Sequence, residues 1–279
     1  MSGTPVSRIT GAALLGGIVG NPVSHSLSPV IHNAWLEAGG VDGAYVAFAP
    51  KDAAGFEALV AAGRAGLIAG VNVTAPFKEQ AFALADEAAA AAQMTGSANI
   101  LVFEDGRVRA DSADGAGVLY ALAEQAPKLK LNGASVVMLG AGGAARAGAG
   151  ALIEAGAALS ILNRTRERAE ALAADLGPAV SVALDANVLE GADLVINALS
   201  VAPDISLAAL KPSAVVMDMT YKPVVTPLLA AARARGLTTV DGLAMLIGQA
   251  APSFEAIFRR PPPPLDLRAI LLNHLGETA

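Results

Sequence analysis

Short apolar runs recur along this chain, and stretches between them place apolar residues three and four apart. Near the N-terminus the runs fall at 14–19, 45–49, 67–71 and 99–103, each too short for a buried helix and therefore read as strands. Helical spacing fills the gaps at 29–38, 53–62 and 77–93, the last with a break near Asp86. Ser28 is the expected N-cap of the first helix, with Pro29 at its first helical position. Strand and helix in alternation predict a βαβ sheet domain.

A second series starts near Asp114. A helix at 117–125 leads through a loop at 126–133 to a strand at 135–139, a glycine-rich turn, a helix to about Ala155 and a strand at 159–162. Further strands are expected at 180–183, 194–197, 215–217 and 238–240. This spacing indicates a doubly wound parallel sheet. A long apolar helix at 243–258 then meets four consecutive prolines, 261–264, which cannot continue a helix. A last helix is expected at 267–275, and these C-terminal helices are expected to return to the first domain. The predicted division is 1–112 with 241–279 for one domain and 113–240 for the other.

Composition narrows the chemistry. The 279 residues include no cysteine, which removes disulfides and thiolate catalysis and suits a reducing cytoplasm. The three histidines show no metal-site spacing, so no metal is expected. A net charge of −6 argues against a nucleic-acid surface, and the one dense basic cluster, NRTRER at 163–168, fits a local anion instead. No apolar run reaches the roughly 18 residues of a membrane span; the segment 11–20 reads as a buried strand.

The segment VVMLGAGGAARAGAGALIEAG carries the clearest motif. Gly140, Gly142 and Ala145 match G-x-G-x-x-G/A between a strand and a helix. Gly140 allows the tight turn, Gly142 lets backbone approach a pyrophosphate, and the helix N-terminus offers free N–H groups to it. The next strand ends in Asn163, Arg164 and Thr165, where an NAD site usually has an acid for the ribose hydroxyl. An arginine there holds a 2′-phosphate, and Arg168 adds a second charge, so the expected cofactor is NADP.

Four polar islands interrupt the apolar context of the first half: NPVSHSLSPVIHN, GVNVTAPFKE, SANI and DSADGAG. Each lies at a strand end or a helix start, where open α/β folds place ligands. Ser26, Ser28, Thr74, Asn99 and Asp114 offer groups for a small polyhydroxylated molecule. Lys78, one of six lysines, sits in a packed context; the local pattern alone favours a surface lysine at a helix start.

Taken in order, HSLSP, NVTAPFK, ADGAG, GAGGAA, NRT, INALS, DMTYKPVVTPLL and DGLAMLIGQA resemble the shikimate dehydrogenase family over nearly the whole chain. The resemblance implies an N-terminal α/β substrate domain and a Rossmann NADP-binding domain with a cleft between them. It implies that Lys78 and Asp114 form the catalytic pair, and that Ser26, Ser28, Thr74, Asn99, Asp114, Tyr221 and Gln249 hold the substrate. For the cofactor it implies Gly140, Ala141, Gly142, Gly143, Ala144, Asn163, Arg164, Thr165, Arg168, Met219 and Gly242. The implied reaction is the NADP-dependent reduction of 3-dehydroshikimate to shikimate, in a cytoplasmic monomer or homodimer. A quinate/shikimate enzyme of broader range and a non-catalytic binding homologue are the alternatives. The chain departs from the family at Ser112 and Ala113, where an Asn-Thr pair is usual, and at Ile100 and Leu199, where threonine is usual.

Overall fold

A computed structural model describes residues 9–199 and 201–277. They divide into two compact units, one of residues 1–112 with 250–279 and one of 113–249.

The first unit is built on a six-stranded mixed sheet. Its elements are β1 (Leu14–Val19), α1 (Ser28–Ala38), β2 (Gly43–Phe48), α2 (Ala53–Arg64), β3 (Gly70–Val73), α3 (Lys78–Ala83), β4 (Glu87–Ala88), α4 (Ala90–Thr95), β5 (Ile100–Glu104) and β6 (Arg107–Asp111). The strand order is β2-β1-β3-β5-β6-β4. β1 pairs in parallel with β2 and β3, but β5 runs antiparallel to both β3 and β6. The expected all-βαβ pattern therefore fails after β3.

A hairpin that periodicity overlooked then follows β5. Asp105 and Gly106 connect β5 to β6 with φ of 50° and 75°. Two positive φ values in a two-residue loop suit the twist of an antiparallel hairpin, and Asp-Gly is a favoured sequence for it. The break expected near Asp86 in the 77–93 segment is present and separates α3 from α4. At the break, Asp86 accepts from the Val108 N–H at 2.7 Å and pairs with Arg64 at 2.6 Å, so β4 can join β6. The third strand is shifted to 70–73 from the expected 67–71. Ser28 is not the cap of α1: Leu27 occupies that position, and the Ser26 hydroxyl accepts from the Ser28 N–H at 3.2 Å.

The second unit holds α5 (Asp114–Gln125), β7 (Ser135–Leu139), α6 (Gly143–Glu154), β8 (Ala158–Leu162), α7 (Arg166–Leu176), β9 (Val180–Val182), β10 (Leu194–Asn197), β11 (Val215–Asp218), α8 (Pro227–Ala234) and β12 (Thr238–Val240). Its strand order is β12-β11-β10-β7-β8-β9, all parallel. Strands such as β10 and β11 are buried throughout, as a sheet covered on both faces requires.

Helix α9 (Gly242–Phe258) passes from the second unit to the first between Gln249 and Ala250, not at 240/241. Its first half packs on α5: a Cβ on Gly117 would lie 2.7 Å from the Met245 carbonyl oxygen, and one on Gly248 would lie 2.5 Å from Tyr120. Its second half belongs to the first sheet, where Ile257 and Phe258 fill the space left by Gly16 and Gly70. After the proline run, α10 (Leu267–Leu275) packs against α1.

His32 of α1 is 1% exposed in the first unit's core and stacks on Tyr45, with ring centroids 4.1 Å apart and planes at 5°. Its Nδ1 has no hydrogen-bond partner among the described residues, and burial pushes its pKa down from 6.5 to about 3. Between those pH values the unfolded chain binds more protons than the folded one. This contribution to stability is therefore complete above about pH 6.5 and is lost as pH falls toward 3. Going from pH 7 to pH 5 should cost about 2 kcal/mol through this residue. Thermal melts should show a flatter pH dependence for His32→Phe, which keeps a ring in the stack; identical slopes would contradict the assignment.

Candidate active site

The polar residues of the first unit meet at one edge of its sheet. Ser26 and Ser28 follow the C-terminal end of β1, and Thr74 and Lys78 follow the same end of β3. Because β5 is antiparallel, Asn99 just before it lies at this edge too, with Asn72 opposite Ile100. The direction of β5, which strand periodicity does not disclose, is thus what brings Asn99 to the other groups. β6 also ends here, with Asp111 opposite Ile100.

Backbone hydrogen bonds fix these positions. The Thr74 N–H donates to the Val19 carbonyl at 2.9 Å, joining the segment after β3 to β1. The Ala98 N–H donates to the Lys78 carbonyl at 2.9 Å, which sets Lys78 beside the Asn99 segment. The Asn99 N–H donates to the Asp111 carbonyl at 3.0 Å, while its own carbonyl accepts from the Val73 N–H at 2.8 Å and from Asn72 Nδ2 at 3.1 Å. Lys78 is half-buried as the first residue of α3, and Ser28 and Asn99 are buried. His25 is exposed. Ile100 is 2% exposed and fills the core, so its departure from the usual threonine is a packing choice as well as a lost hydroxyl.

In the second unit the glycine turn follows β7. Gly140 has φ of 110°, and a Cβ there would lie 3.1 Å from Leu199, which covers the turn. At Gly142 and Gly143 a Cβ would meet nothing within 4 Å, so the backbone of this turn is open to a ligand. Gly142 occupies the N-cap of α6 without a side-chain cap, leaving the first N–H groups facing that space with Ala141 and Ala144 alongside. Ala145 is fully buried, as close helix–strand packing requires. These features fit a dinucleotide pyrophosphate.

The turn after β8 suits a second anion. Asn163 Nδ2 donates to the Thr165 carbonyl at 2.7 Å and holds the turn. Thr165 is the N-cap of α7, yet its side chain makes no capping bond. Arg166 pairs with Glu170 at 2.6 Å and Arg146 with Asp175 at 2.7 Å. Arg164 and Arg168 are exposed and have no ion pair among the described residues.

Asp218, whose role the sequence pattern does not disclose, organises the loop bearing Met219 and Tyr221. It is 2% exposed and accepts from Asn197 Nδ2 at 3.1 Å, the Thr220 N–H at 3.0 Å and the Thr226 hydroxyl at 2.7 Å. Gly242 lets the start of α9 approach this loop: a Cβ there would collide with the Met219 carbonyl oxygen. Asp114 opens α5 and Gln249 lies in α9. Ser200, at the end of INALS, lies outside the described residues. Among the described residues no cluster of His, Cys, Asp or Glu could hold a metal, and no helix is long and apolar enough to cross a membrane.

Residues 18–101 match the shikimate dehydrogenase substrate binding domain, and residues 121–229 match the shikimate / quinate 5-dehydrogenase domain. The chain is 50% identical over 284 aligned positions to a shikimate dehydrogenase (NADP(+)) of Caulobacter vibrioides, covering 97% of this chain and 99% of that one. A shikimate 5-dehydrogenase from Thermus thermophilus, solved with NADP(H) and shikimate, is 34% identical with a TM-score of 0.82, over 90% of this chain and 95% of that one. A quinate dehydrogenase from Corynebacterium glutamicum, solved with NAD, is 28% identical with a TM-score of 0.84, over 95% and 99%. With two domain matches, half its residues shared with one relative and a common fold, the chain belongs to the shikimate dehydrogenase family.

Proposed function

We propose that this protein catalyses the reversible NADP-dependent reduction of 3-dehydroshikimate to shikimate, a step of aromatic amino-acid biosynthesis, as a cytoplasmic monomer or homodimer. The observation that carries this reading is the backbone pairing that sets Lys78 beside Asn99 at the sheet edge occupied by Ser26, Ser28 and Thr74. A polyol acid needs several placed donors and acceptors, and a ketone needs one acid for its oxygen.

When bound, NADPH supplies a hydride to the ring carbonyl carbon. Lys78 donates the proton that the carbonyl oxygen takes up and stabilises negative charge developing there; in the reverse direction it accepts that proton. Asp114 is its partner in the catalytic pair. Ser26, Ser28, Thr74, Asn99, Asp114, Tyr221 and Gln249 hold the carboxylate and hydroxyls, so that only one ring carbon presents itself for reaction. Gly140, Ala141, Gly142, Gly143 and Ala144 cradle the pyrophosphate. Asn163, Arg164, Thr165 and Arg168 hold the 2′-phosphate, and Met219 and Gly242 line the remainder of the cofactor site.

Steady-state oxidation of shikimate and of quinate, each with NADP and with NAD, tests this. Shikimate with NADP should exceed every other combination in kcat/KM by about tenfold or more, the scale at which placed hydrogen bonds discriminate. Equal turnover of quinate would give the broader enzyme. Binding of shikimate without NADP reduction would give the non-catalytic homologue.

A further inference from the structure

We propose that Tyr45 is a positioning residue for substrate, joining through one buried hydroxyl the two walls that carry Ser28 and Asn99. The proposal rests on the functional reading above.

Tyr45 lies on β2, the edge strand, and is 1% exposed. Its hydroxyl donates to Asn72 Oδ1 at 2.8 Å. The direction of that bond is determined by its neighbours. Asn72 Nδ2 lies 3.1 Å from the Asn99 carbonyl, which can only accept, so the amide nitrogen must face Asn99. The amide oxygen therefore faces Tyr45, and the phenol must be the donor. Asn72 Nδ2 also donates to Ser253 on α9 at 2.8 Å, and both faces of this amide are thereby committed. Through Asn72, the Tyr45 hydroxyl acts on the carbonyl of a substrate-binding residue.

On its other side Tyr45 holds α1. Asn33 of α1 brackets the Tyr45 backbone, donating to its carbonyl at 2.8 Å and accepting from its N–H at 3.0 Å. His32, one residue earlier, stacks on the Tyr45 ring. Ser28 opens the same helix, and its hydroxyl opposes the rise that burial imposes on the Tyr45 phenol. The helix carrying the serine wall is thus docked on Tyr45 by its backbone, its ring and its hydroxyl environment. A phenylalanine would keep the ring contacts and the backbone bracket and delete the hydroxyl's links to Asn72 and Ser28.

The test compares wild type, Tyr45→Phe, Ser28→Ala and the double variant in shikimate oxidation with NADP, with thermal melts of each. Tyr45→Phe should raise the KM for shikimate about 5- to 20-fold, the scale of one buried hydrogen bond. The KM for NADP should stay within about twofold, a split that general destabilisation would not produce. In the Ser28→Ala background the same change should raise KM by a markedly smaller factor, since residues that act together are not additive. A shikimate KM unchanged by Tyr45→Phe, a matching rise in the NADP KM, or full additivity would overturn the proposal. If Tyr45→Phe gives no cooperative melt, Asn33→Ala replaces it. It removes the backbone bracket and should raise the shikimate KM alone, and an unchanged value would again overturn the proposal. Wild-type protein that fails to oxidise shikimate would overturn the functional reading itself. Wild-type turnover with a flat Tyr45→Phe response overturns only the role of Tyr45.

Discussion

Lys78→Ala should lower kcat for shikimate oxidation about 10²- to 10⁴-fold, the range for removal of a positioned acid or base. The KM for shikimate should change much less, because the other polar groups remain to bind it. Reduction leaves an oxygen with a full negative charge unless a proton arrives with the hydride, and an ammonium at the oxygen serves both needs. The structure supplies the positioning: Lys78 is the first residue of α3, half-buried, with its carbonyl bound to the Ala98 N–H at 2.9 Å. Its Cα is therefore fixed relative to Asn99, and only the side chain has to find the substrate. Rapid-mixing measurements of the first turnover would separate chemistry from product release. A kcat within threefold of wild type, with the variant folded and saturated, would return Lys78 to an ordinary surface lysine.

Arg164→Ala should weaken NADP binding about 10- to 100-fold, the loss expected for a charge-assisted hydrogen bond to phosphate. NAD binding should change by a factor of less than about three, because NAD lacks the 2′-phosphate. The selectivity follows from which arginines are already committed. Arg146 is engaged by Asp175 and Arg166 by Glu170, whereas Arg164 and Arg168 have no ion pair among the described residues. The turn is preformed by the bond from Asn163 to the Thr165 carbonyl, so little ordering is needed on binding. Raising ionic strength should weaken NADP binding more than NAD binding, since the extra attraction involves exposed charges. Titration calorimetry with both cofactors reads these effects; equal losses for the two would remove the 2′-phosphate assignment.

Much of the second unit was legible from the sequence because its signals are local. A strand buried on both faces reads as a continuous apolar run, and β7, β10 and β11 lie where those runs fall. The glycine turn declares itself because backbone geometry at Gly140 and open space at Gly142 require specific residues at specific positions. The first unit was less legible. Its hairpin turns on two residues, Asp105 and Gly106, whose signal is chemical and not periodic. The error about Ser28 has a similar origin: either of two nearby serines could serve the helix start, and only the fold shows Ser26 meeting the Ser28 N–H.

By itself the sequence determined the alternation of elements, the glycine turn after β7, the basic cluster after β8 and the polar islands of the first half, since each depends on residues within a few positions of one another. Only the tertiary structure decided that β5 reverses direction and delivers Asn99 to the edge shared by Ser28 and Lys78. It alone decided, too, that Tyr45, Asn72 and Ser253 form one hydrogen-bonded network, with Asn72 and Ser253 separated by 181 positions in the chain. Strand direction and side-chain partnership are set by which surfaces bury each other and which buried polar groups must find partners, and those choices exist only once distant segments have packed together.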